Sequence, residues 1–85
     1  MRISQEQQFD EDFADLPERV QRQARKQLAL LLSNPRHPSL RIKKMEGRGY
    51  IWEGRLSRDY RFTFEIIGDL YKLRRIGSHD ILKNP

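Results

Sequence analysis

Eighty-five residues without a cysteine exclude a disulfide framework, a cysteine-based zinc site and a second hydrophobic core. No segment approaches the roughly 20 apolar residues of a membrane span. The opening Met1-Arg2-Ile3-Ser4-Gln5-Glu6 carries no apolar secretion-signal core, so the cytoplasm is the expected location and no membrane partner is expected. The formal net charge of +5 is lopsided. Residues 1–40 hold six basic and six acidic side chains, and residues 41–85 hold eleven and six. That asymmetry points to a polyanion partner, nucleic acid or an acidic protein segment. A chain this small buries only about 60–65% of its unfolded surface, so a protein partner that covers apolar area matters to its stability.

Residues 1–8 carry a single apolar side chain before residue 9, Ile3 apart from Met1, and suit at most an edge strand. Phe9, Phe13 and Leu16 then recur at helical spacing. Pro17 suits the first turn of a second helix, in which Val20, Ala24, Leu28, Leu31 and Leu32 form the buried stripe. Asn34-Pro35 ends it. After Pro38 the period moves towards two. Leu40 to Met45 reads as a short strand, Glu46-Gly47-Arg48-Gly49 as a turn, and residues 50–57 and Tyr60 to Ile67 as strands. Gly68-Asp69 is a tight turn into Leu70 to Ile76. The expectation is one α+β domain over residues 1–85, with a helical hairpin on one face of a twisted antiparallel sheet of four to five strands.

Alternation along Tyr60–Ile67 sends Tyr60, Phe62, Phe64 and Ile66 towards the helices and Arg61, Thr63 and Glu65 to the opposite face. Arg55 shares that outer face with Ile51 and Glu53. Lys43, Lys44, Arg58, Arg74, Arg75 and His79 also lie on or beside the sheet. Cross-strand neighbours are about 5 Å apart, so several guanidinium groups can converge on one phosphate. The competing reading pairs these arginines with Glu53, Asp59, Glu65 and Asp69 on a solvated face. Trp52 suits a core or sheet-edge position, while Tyr50 and Tyr71 are freer to stack on a base. His37 reads as a surface loop residue, and His79, in Ile76-Gly77-Ser78-His79-Asp80, as a residue able to move a proton. Two histidines without clustered carboxylates suggest no metal site, and no Gly-rich phosphate loop or nucleophile elbow is present. Arginine with histidine best matches metal-free cleavage at a phosphate.

The order of Ser33-Asn34-Pro35, Trp52-Glu53-Gly54-Arg55, Asp59-Tyr60-Arg61 and Ile76-Gly77-Ser78-His79-Asp80 resembles the RelE/ParE superfamily of toxins from bacterial type II toxin–antitoxin systems. The resemblance covers nearly the whole chain. It implies a RelE-like fold and a ribosome-dependent, metal-independent endonuclease that inhibits translation by cutting messenger RNA in the ribosomal A site, with no cofactor and with a cognate antitoxin as partner. It implies catalysis by Arg61 and His79 and an RNA contact from Arg55, to which the basic residues on or beside the sheet add Lys43, Lys44, Arg58 and Arg75 as expected RNA contacts. Two departures matter. Trp52 and Gly54 stand where RelE has lysines, and Ile81-Leu82-Lys83-Asn84-Pro85 lacks the tyrosine found near the end of many relatives. Glu53 or Asp80 is the alternative proton carrier. The alternative functions are a ParE-like poison of DNA gyrase and a RelE homologue that binds RNA or antitoxin without cleaving.

Overall fold

A computed structural model describes all of residues 1–85. The elements run β1 (Arg2–Gln5), α1 (Gln7–Ala14), α2 (Glu18–Ser33), a 3₁₀ turn (Pro38–Leu40), β2 (Lys43–Lys44), β3 (Trp52–Arg55), β4 (Tyr60–Ile67), β5 (Leu70–Ser78) and a second 3₁₀ turn (His79–Lys83). The sheet order is β1-β5-β4-β3-β2. Four strands form the expected antiparallel meander, but β1 pairs parallel to β5, so the five-stranded sheet is mixed. No helix is long and apolar enough to cross a membrane.

The two helices cover one face. Phe9 and Leu16 join Val20, Ala24 and Leu31 against Phe62, Phe64, Leu73 and Ile76 of the sheet. Phe62 and Phe64 are fully buried, and each such burial contributes about 1.5–3 kcal/mol. The α2 stripe differs from expectation at two positions. Gln27 is buried, whereas Leu32 is 44% exposed. Pro17 is the residue that caps α2 and not part of its first turn. Ile66, although on the helix-facing side, lies past the end of the core and is exposed.

Two strands are shorter than the sequence suggests. Leu40 sits in the 3₁₀ turn, which leaves β2 only two residues, and β3 covers the middle of the expected 50–57 strand. At Gly54 the reason for a glycine is steric. A Cβ there would come within 2.3 Å of Phe62 Cζ, because the Phe62 ring lies across its register partner.

The pairing of β4 with β5 slips between Thr63 and Phe64. Thr63 faces Arg75 and Phe64 faces Leu73, which leaves Arg74 as an extra residue, a β-bulge. β1 ends opposite Leu73, so the outer edge of β5 beyond it has no strand partner. Asp12 of α1 fills that gap. Its carboxylate accepts the Ile76 backbone N–H at 3.2 Å and two N–H donors of Arg75 at 2.6 and 3.2 Å.

Candidate functional site

The face away from the helices carries two rows of register partners. One runs Lys43, Glu53, Thr63, Arg75 across β2 to β5, and the other runs Arg55, Arg61, Gly77 across β3 to β5. The chain after β5 turns back over part of this face. Ile81 packs on Gly77, where a Cβ would lie 2.9 Å from its methyl group. The Pro85 carbonyl oxygen accepts from Thr63 Oγ1 (3.0 Å) and Arg74 Nε (3.1 Å), the Asn84 carbonyl from Arg75 (3.1 Å), and the Lys83 carbonyl from Arg48 (3.0 Å). Thr63, expected on an open face, is therefore fully buried. Ile51 and Ile81 are buried on this side, apart from the main core.

What stays open is the half towards β2. There Arg41, Ile42, Lys43, Glu53, Arg55 and Arg61 line a cleft of about 430 Å³. Arg61 donates from one terminal nitrogen to the carbonyls of Ser57 (2.8 Å), Arg58 (3.1 Å) and Tyr60 (3.0 Å). Arg55 Nε donates to the Ser57 carbonyl at 3.2 Å. The turn between β3 and β4 thus fixes both guanidinium groups while leaving them other N–H donors. Glu53 is 9% exposed and forms no ion pair with its four cationic neighbours. No buried side-chain oxygen or nitrogen lacks a hydrogen-bond partner, so its carboxylate meets solvent through the cleft. The arrangement offers a carboxylate able to take a proton beside cations able to hold a phosphate.

The structure gathers Lys43, Glu53, Arg55 and Arg61 in this cleft. Lys44 is exposed on β2 opposite Trp52, and Arg58 is exposed in the β3–β4 turn. His79 and Asp80 are exposed in the second 3₁₀ turn and do not line the cleft, although β5 brings Gly77, two residues before His79, opposite Arg61. Arg75 is placed elsewhere. Its guanidinium clasps Asp12 and the Asn84 carbonyl and so joins α1 to the end of the chain. Burial works against a charged Asp12, but Arg75, Gln8 and the Ile76 N–H outweigh it and hold the carboxyl below its ordinary range.

Of the tyrosines, Tyr71 is a core residue, edge-on to Phe64, and not a base-stacking surface. Tyr50 is 62% exposed beneath the Arg74 guanidinium. Trp52 is half-buried against the core. Of the acids expected to neutralise the sheet, Glu65 pairs with Arg74 and Asp69 with Arg2, while Glu53 and Asp59 form no ion pair. Arg41 was missing from the sequence-based set. Its φ of 44° is the only positive value at a non-glycine residue, and the basic run Arg41 to Lys44 was the one signal pointing to it. No group of three or more histidine, aspartate or glutamate side chains is arranged to hold a metal ion.

No protein-family model matches the chain, and no curated protein sequence does. Solved structures do. YafQ in the Escherichia coli DinJ–YafQ toxin–antitoxin complex superposes with a TM-score of 0.76 at 19% identity, over 94% of this chain and 93% of that one. RelE in the RelE–RelB complex of Pyrococcus horikoshii gives 0.73 at 21% identity, over 91% and 92%. A YoeB/ParE toxin from Agrobacterium tumefaciens gives 0.77 at 13% identity, over 93% and 99%. Two helices on a five-stranded mixed sheet, matched end to end in this way, give the chain the α+β fold of the RelE, YafQ and YoeB/ParE toxin structures.

Proposed function

We propose that this chain is the toxin of a toxin–antitoxin pair and cleaves messenger RNA held by the ribosome. The observation that carries the reading is the open cleft in which Arg41, Lys43, Arg55 and Arg61 surround the Glu53 carboxylate. It lies on a fold shared with proteins solved as toxin–antitoxin complexes. In this reading Arg55 and Arg61 hold the reacting phosphate. The RNA 2′-hydroxyl loses its proton to Glu53 and attacks the adjacent phosphorus, and the bond to the 5′-oxygen breaks. His79 supplies the proton to that leaving oxygen. The products are a 2′,3′-cyclic phosphate and a 5′-hydroxyl. Arg58, exposed in the β3–β4 turn, contacts a flanking phosphate, whereas Lys44, the register partner of Trp52 on the helix side of the sheet, has no part in this scheme. Arg75 has no part in this scheme because Asp12 holds it.

The test maps messenger 5′ ends after the protein is induced and identifies the chemistry of the cut ends with and without a chelator, while gyrase supercoiling is assayed in parallel. Chelator-insensitive cuts ending in cyclic phosphate support the reading. Inhibited gyrase with intact messengers replaces it with the ParE-like alternative, and an inert protein that still binds RNA or its antitoxin replaces it with a non-cleaving homologue.

A further inference from the structure

A second cleft, of about 630 Å³, lies round the corner from the first, between α2, the first 3₁₀ turn and the end of β3. It is lined by Lys26, Gln27, His37, Ser39, Arg41 and Arg55 among others. Arg41 and Arg55 line both clefts, so the two adjoin along a shared cationic edge between the sheet face and α2. Lys26 and Arg41 are exposed and enter no ion pair.

The floor of this second cleft has a specific polarity. Gln27 is only 6% exposed on a helix face otherwise buried by apolar side chains. Its Nε2 lies 3.0 Å from the Arg55 carbonyl and 3.4 Å from the Ser39 carbonyl. Two carbonyl acceptors fix the amide orientation, so Oε1 is the atom left over. It has no partner within the chain, yet no buried polar atom is orphaned, so Oε1 faces the water of the cleft. His37 is oriented too. Its Nδ1 accepts the Ser39 N–H at 3.2 Å, which leaves Nε2 as the ring's outward donor. The cleft therefore presents donors and cations together with one side-chain acceptor, Gln27 Oε1, on its floor.

We propose that this cleft is a second subsite, which holds the nucleotide next to the one whose phosphate sits at Arg61 in a single-stranded RNA. The proposal rests on the function argued above. Lys26, Arg41 and the His37 Nε2–H take the phosphodiester, and Gln27 Oε1 takes a hydrogen bond from a ribose hydroxyl or a base amine. A nucleotide supplies an anion for the cations and, on the same unit, a ribose hydroxyl or base amine as donor for Gln27.

The experiment measures fluorescence anisotropy of a labelled six-nucleotide RNA, with a 2′-deoxy sugar at the cut position to prevent turnover, across a salt series. The variants are Lys26→Gln, Arg41→Gly, Arg55→Ala and Arg61→Ala. Glycine suits the positive φ of residue 41 and Lys26 is exposed, so both variants fold. Lys26→Gln and Arg41→Gly should each weaken binding about threefold to tenfold and flatten the salt dependence by about 0.7 per charge removed. RNA should also shift the Gln27 side-chain amide resonances. If Arg55→Ala and Arg61→Ala weaken binding while Lys26→Gln does not, and the Gln27 amide stays still, the second subsite is wrong and the sheet-face reading stands. If none of the four matters, both fall. Competition by a polyglutamate peptide as effective as unlabelled RNA also overturns the proposal, in favour of a protein segment.

Discussion

Arg55 and Arg61 face each other as register partners across β3 and β4, and both donate to the carbonyl oxygen of Ser57, at 3.2 and 2.8 Å. Like charges directly opposite destabilise a sheet, and one neutral acceptor offsets that repulsion only in part. The pair is therefore a ready anion site. Inorganic phosphate at tenfold its Kd should stabilise the domain by about 1.4 kcal/mol, or several degrees in Tm. Arg61→Ala should remove most of that response. An unchanged phosphate effect in this variant, read by calorimetry, places the anion elsewhere.

Single-turnover cleavage on programmed ribosomes separates the roles proposed for the cleft. Arg61→Ala should lower the rate by about 10²–10³-fold, as expected for loss of a donor to transition-state charge. Ribosome binding should stay within about tenfold, or roughly 1.4 kcal/mol. Glu53→Gln and His79→Ala should each cost about 10²–10⁴-fold. A wild-type rate for His79→Ala removes the exposed histidine from the chemistry and leaves Glu53 as the one proton carrier in the cleft.

Asp12 ties the stability of the fold to pH. Its carboxyl is held below the ordinary 3.8 in the folded chain, so its contribution is complete above the unfolded value and is lost as pH falls through the folded one. Asp12→Asn should be destabilised already at pH 7, by about 1–3 kcal/mol, because Arg75 loses its anion and Ile76 a charged acceptor. Urea unfolding at pH 7 and pH 3 is the check. The wild-type advantage over Asp12→Asn should shrink towards pH 3, and an advantage independent of pH contradicts the assignment.

Gly54→Ala puts a methyl group where Phe62 already lies and should cost about 1–3 kcal/mol. Phe62→Leu in the same chain should recover part of the loss, since the ring is what the methyl meets. Additive losses in the double-variant cycle mean that the two sites are uncoupled.

The helices and the β4 faces were readable because their apolar spacing is local. Phe9 and Phe13 sit on one face of α1, with Leu16 following in the connection to α2, and Phe62 and Phe64 alternate cleanly with Arg61 and Thr63. The α2 stripe misled at Leu32 because the wheel identifies an apolar side, not where the core stops, and Gln27 is buried because two distant carbonyls satisfy its amide. β1 could be placed at an edge but not given a direction, since its four residues fix no register without β5. Alternation put Arg55, Glu53 and Arg61 on one outer face, and Lys43 joins them through its pairing with Glu53. The loss of Arg75 to Asp12 was not legible, because that contact joins residues 63 positions apart. Nor was the burial of Thr63, since nothing in Ile81–Pro85 says that it folds back over the sheet.

The bulge in β5 leaves its trace in the spacing of buried residues, two from Tyr71 to Leu73 and then three to Ile76. Excising Arg74 would restore strict alternation and keep Leu73, Arg75, Ile76 and Gly77 on the faces they now occupy. The sheet can dispense with this residue, but the returning strap cannot, because Arg74 grips the Pro85 oxygen and anchors to Glu65. A one-residue deletion at this point is therefore a dial on how firmly half of the outer face stays covered, set apart from the core that holds the domain together.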